Sequence, residues 1–211
     1  MKRFYQLLIA ICGVLFVLTT STQAQSHKMS YNMSKAEGLR SSMHKLWEDH
    51  VTWTRNVILN IMDSLPGTDQ AVNRLLQNQD DIGNAIKPVY GDAAGTELTR
   101  LLREHITTAA DLLKAAKADD KPKFEETNKK WFANADEISS FLSKANPGWK
   151  AEEMKKMMYD HLNFTTEEAV ARLKKDYDAD VKAYDKVHEE ILQMADMLTD
   201  GILKQYPDKF K

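Results

Sequence analysis

The chain has 211 residues, 43% of them hydrophobic and 28% charged, with 29 Lys+Arg against 31 Asp+Glu and a formal net charge of −2. A near-neutral balance argues against nucleic acid and anionic lipid as partners, and a single cysteine, Cys12, supplies no disulfide framework. The length is sufficient for one hydrophobic core.

The first predicted element is a signal peptide over residues 1–24. It has basic Lys2 and Arg3, an apolar run from Leu7 to Leu18, and the small-residue ending Thr22-Gln23-Ala24. The apolar run is too short to cross a bilayer. Cys12 follows Ile11, where a lipidation site needs a small residue. Cleavage after Ala24 leaves about 187 residues, no cysteine, and 27 basic against 31 acidic side chains. The expectation is an exported protein, periplasmic or extracellular, with no membrane span in the mature chain. Residues 25–35 read as a disordered leader and 36–211 as a single helical-bundle domain.

Apolar residues recur every three or four positions and no segment alternates as a half-buried strand would, so the fold class is all-α, an up-down bundle of about six helices. The helices are expected over 36–65, 69–87, 95–118, 121–145, 150–175 and 178–205. Leu65-Pro66-Gly67 ends the first, and Lys87-Pro88 with Gly91 ends the second. Asp120 is the expected N-cap of the fourth, with Pro122 in its first turn, and Asn146-Pro147-Gly148 ends it. The break near Lys175-Asp176 has no residue that forbids a helix.

Three histidines, His50, His105 and His161, stand 55 and 56 residues apart, each directly after a carboxylate: Asp49, Glu104 and Asp160. Asn78-Gln79-Asp80-Asp81-Ile82 and Asn134-Ala135-Asp136-Glu137-Ile138 repeat at 56, and Met194-Ala195-Asp196-Met197-Leu198 is a looser third copy. Three tandem helical hairpins follow, each too small to bury its own apolar face. Each histidine centres on an apolar stripe, so packing side by side would put the imidazoles in one layer.

Three converging neutral imidazoles suit a divalent transition metal such as Zn, Cu, Ni or Fe and leave a coordination position open. His188 is a candidate fourth ligand. Glu168 and Thr165 share the face of His161, and Asn134 should lie level with His105. Asp80 and Asp136 fall off their stripes and are assigned to contacts with neighbouring helices or to support of the ligands. Glu104 is expected to bridge to an adjacent helix. The competing reading is a structural or interaction module whose His/Asx layer only fixes helix packing. A third is a metal-dependent hydrolase or transferase of unknown substrate. Trp47, Trp53, Trp131, Trp149 and most of the ten methionines read as packing. No phosphate-cradling Gly-rich loop, nucleophile elbow or His-Glu-x-x-His is present, so no nucleotide is expected.

Across Leu39 to Phe210 the chain resembles a largely uncharacterised bacterial all-helical family. The likeness is carried by the stretch Leu46-Trp47-Glu48-Asp49-His50-Val51-Thr52-Trp53-Thr54-Arg55, by Glu104-His105, by Trp131-Phe132-Ala133-Asn134-Ala135-Asp136-Glu137-Ile138 and by Asp160-His161-Leu162. Members of that family carry labels such as glycosyltransferase or acetylglutamate kinase, but these residues provide no nucleotide-sugar or ATP site. The resemblance implies an all-helical fold and no particular reaction.

Overall fold

The computed structural model describes residues 34–211. The signal expected over 1–24, and the leader except for its last two residues, lie outside the described residues. Six α-helices follow one another: α1 (Lys35–Met62), α2 (Thr68–Tyr90), α3 (Asp92–Lys117), α4 (Lys121–Ala145), α5 (Ala151–Leu173) and α6 (Tyr177–Gln205), with a 3₁₀ turn at Pro207–Phe210. Each helix packs on its neighbours in sequence, and α6 packs back on α1, so the six close into a ring. Among the described residues there is no strand, and no helix is long and apolar enough to cross a membrane.

The first helix starts one residue sooner than expected. Ser34 caps α1 through a reciprocal pair with Glu37, its side chain accepting the Glu37 N–H while the Glu37 carboxylate accepts the Ser34 N–H, so the helix starts at Lys35. Two other boundaries also move. α2 runs through Pro88 to Tyr90, two residues past a proline that both removes the bond its N–H would have made and crowds the carbonyl four residues earlier. Gly91, at φ +87°, then terminates α2 and begins α3, which starts at Asp92 rather than residue 95.

The threefold repeat is written into the backbone. Ser64, Asp119 and Lys175 all adopt left-handed φ, at 58°, 52° and 60°, each fourteen residues after its histidine. At each turn the next N–H reaches back to a carbonyl of the helix's last turn: Leu65 to Asn60, Asp120 to Ala115, Asp176 to Ala171. Asp120 and Asp176 then cap the return helices, accepting the N–H groups of Lys123 and Ala179 at 3.1 Å each. The turn near Lys175-Asp176 is therefore as well made as the others. Since a non-glycine residue pays a steric penalty there, Lys175→Gly should raise stability by about 0.5–1 kcal/mol in urea titration.

The core follows the inward stripes, with Ile58, Leu75, Leu101, Ile138, Leu162, Ile191 and Ile202 among its fully buried side chains. α2 and α3 approach closely where Gly83 faces Gly95. A methyl on Gly83 would lie 2.6 Å from the Gly95 carbonyl oxygen, and one on Gly95 2.6 Å from the Gly83 carbonyl oxygen.

Candidate functional site

The three repeated histidines meet inside the ring. His50 on α1, His105 on α3 and His161 on α5 are buried, with ring centroids 5.6 Å apart for His50 and His161 and 6.5 Å for His105 and His161. Every Nδ1 is engaged by the residue 29 positions later, on the return helix of its own hairpin. His50 pairs with Gln79 Nε2 at 3.2 Å, His105 with Asn134 Oδ1 at 2.9 Å, and His161 with Glu190 Oε2 at 3.0 Å. In the third copy the partner of the histidine is Glu190, four residues before the expected Met194–Leu198 stretch, whose Asp196 pairs instead with Arg40 on α1. In the first copy two residues share one task, since Asn78 donates to the Leu46 carbonyl and Gln79 meets the histidine, whereas Asn134 serves both Leu101 and His105.

These partners assign the ring protons. The Asn134 amide nitrogen donates to the Leu101 carbonyl at 3.1 Å, so its oxygen faces His105 and accepts from Nδ1–H. Nε2 of His105 then carries the lone pair, and Trp131 Nε1 donates to it at 3.2 Å. Gln79 Nε2 faces the Leu75 carbonyl at 2.9 Å and Asn78 Oδ1 at 3.1 Å as well as His50, which fixes the amide with its nitrogen toward the ring. His50 therefore accepts at Nδ1 and bears its proton on Nε2. Burial holds His105 at about 3, with the neighbouring His161 as a second cause. Burial likewise holds His50 well below 6.5, with His161 and His105 adding to it, so both rings are neutral at pH 7.

The other candidates lie elsewhere. His188 is not a fourth member of the layer: its side chain is 35% exposed and meets Glu48 at 3.3 Å, because α6 turns Val187, Glu190 and Ile191 inward instead. Glu104 does not bridge to another helix. It pairs with Arg100 one turn earlier on α3, as Asp49 does with Lys45 and Asp160 with Lys156. Asp80 accepts from Arg103 on α3 at 3.0 Å, and Asp136 pairs with Lys155 at 2.9 Å and Tyr159 at 3.0 Å on α5. These contacts join successive hairpins.

Glu168 faces a guanidinium. Arg55 Nη1 lies 2.7 Å from Glu168 and 2.9 Å from Asp180, and its Nη2 lies 3.2 Å from the second Asp180 oxygen. Arg172 reaches Asp180 at 3.3 Å and also pairs with Asp63. Glu168 and Asp180 are each 1% exposed. Burial pushes Glu168 up to about 7 although the Arg55 charge pulls it down.

Between the histidine layer and the hairpin turns lies a cavity of about 50 Å³. All three histidines line it, together with Trp131, Thr165 and a wall that is almost wholly apolar, including Ala110, Leu113 and Ala169. Small side chains make the room: four and five residues after the histidine the second copy has Ala109 and Ala110. The Thr54 and Thr166 hydroxyls donate to carbonyls of their own helices at 2.8 Å, but the buried Thr165 hydroxyl has no partner among the described residues. Val170 and Leu173 both line the cavity and are 37% and 38% exposed, so it approaches the surface at the turn end of α5.

Gln79, Glu190 and Trp131 were not singled out as functional by the sequence. The signal that finds two of them is the constant offset of 29 from each histidine. Among the described residues no group of three or more His, Cys, Asp or Glu is arranged to hold a metal ion. No family model, curated protein or solved structure matches this chain.

Proposed function

We propose that this is an exported binding protein that holds a small ligand in the cavity bounded by His50, His105 and His161. The observation that carries the reading is the combination within one cavity of apolar walls, a buried Thr165 hydroxyl without a partner, and neutral imidazoles. Buried polar groups are ordinarily satisfied, and an unsatisfied one beside open volume is where a ligand atom is stabilised. Export rests on the features of residues 1–24 alone. Crystals pressurised with xenon should show the gas in this cavity. If xenon goes only to other sites, the reading fails.

A second reading is a divalent transition metal, Zn, Cu, Ni or Fe, on the Nε2 atoms of the same histidines. It is favoured by the ring separations and by the support at every Nδ1, the arrangement that orients metal-binding imidazoles. Coordination requires Gln79 to turn its oxygen to His50 and Trp131 to release His105. Untagged protein exposed to salts of these metals and desalted should retain close to one ion per chain. Well under half an ion for every metal removes this reading and leaves the hydrogen-bonded layer as a helix-register device.

A further inference from the structure

The donors that face the cavity narrow what it takes. His50 carries its proton on Nε2, because Gln79 donates to its Nδ1, and the Thr165 hydroxyl has no acceptor. His105 offers nothing further, since Asn134 and Trp131 occupy both ring nitrogens. The cavity therefore presents the His50 Nε2–H donor and the Thr165 hydroxyl, a donor and an acceptor, to one volume, with His161 Nε2 the remaining polar atom of the histidine layer and the rest of the wall almost wholly hydrocarbon. A carboxylate would enter without a cation, because the nearest guanidinium, Arg55, is committed to Glu168 and Asp180. An ammonium would enter without a carboxylate, since Glu190 is bonded to His161 and Glu168 to Arg55, and the neutral Thr165 oxygen does not offset a buried charge.

We propose that the cavity binds a short, uncharged aliphatic molecule bearing a single oxygen acceptor, a ketone, aldehyde or alcohol, with the oxygen between His50 Nε2–H and the Thr165 hydroxyl. The hydrocarbon end points to the turn end of α5, past Ala110 and Ala169 toward Val170 and Leu173. At about 50 Å³ the space is smaller than the cavity of about 150 Å³ that accepts benzene in an engineered protein, so the ligand has on the order of three to five non-hydrogen atoms. This inference rests on the cavity reading above and adds the chemical class.

The test uses 2-butanone, 1-butanol, propionate and butylammonium, each of five non-hydrogen atoms, on the purified protein. Quenching of Trp131, which lines the cavity, and the shift in melting temperature are the readouts. The ketone and alcohol should bind at least tenfold more tightly than either ion. Thr165→Val should weaken butanone several-fold while xenon still fills the site, and Ala110→Leu should abolish both. Ala169→Leu repeats the filling experiment should Ala110→Leu not fold. Xenon absent from the wild-type cavity overturns the binding reading itself. Xenon present, with ions binding as well as the ketone or with Thr165→Val leaving butanone unchanged, overturns only the ligand class.

Discussion

Arg55→Met should destabilise the protein by about 3–5 kcal/mol at pH 8, the cost of leaving buried carboxylates without their cation. Glu168 and Asp180 come from α5 and α6, are almost fully enclosed, and converge on this one guanidinium from α1. Arg172 keeps a contact to Asp180, but among the described residues Glu168 has no other ion pair. The loss should be smaller at pH 5, and the sign follows from the carboxyl's own titration. Its folded value of about 7 lies above the ordinary 4.5, so between these the folded state holds a proton that the unfolded chain has released. Stability therefore falls as pH rises from about 4.5 to about 7, and removing Arg55 pushes the carboxyl higher still. Glu168→Gln should flatten that part of the profile, and Glu168→Gln with Asp180→Asn should recover most of the stability lost in Arg55→Met. Urea titrations at pH 5 and pH 8 measure all four proteins. An equal Arg55→Met loss at the two values contradicts the account.

Gly83→Ala should cost about 2 kcal/mol or more, although on propensity alone it would stabilise a helix by about 1 kcal/mol. The new methyl meets backbone, the Gly95 carbonyl oxygen at 2.6 Å, and backbone cannot rotate aside as a side chain does. α2 and α3 must part, carrying the Asp80–Arg103 pair with them. Gly38→Ala is the control. Nothing lies within 4 Å of a methyl there, so it should be neutral or stabilising. Denaturant melts of both variants distinguish close helix approach from a general intolerance of alanine.

The helices were legible because proline, glycine and the caps sit at fixed chemical roles, and the histidines were legible because a 3.6-residue period placed them on apolar stripes. Of their partners only Asn134 was legible, since Gln79, Asn134 and Glu190 are three residue types at one offset and a search for identical residues passes over the other two. His188 was misplaced for a geometric reason. The inward face of α6 is set by Ala183, Val187, Glu190, Ile191 and Met194, which rotates His188 to the flank. Pro88 marks the end of α2 only approximately: the helix runs two residues past it, and Gly91 ends it. The cavity was invisible along the chain, because it exists only where small residues of different hairpins face one another.

The seam between α6 and α1 is held by Arg40 against Asp196 and Asp200 and by His44 against Asp196, with no peptide bond across it. Short links close the equivalent seams at Gly91 and at residues 146–150, while Asp80 and Asp136 supply the matching polar contacts. The packing of the ring is thus of one kind at all three seams, whether or not a peptide link crosses them. A circularly permuted gene, with a flexible tether joining residue 211 to residue 34 and new termini at Gly91, should encode the same closed bundle.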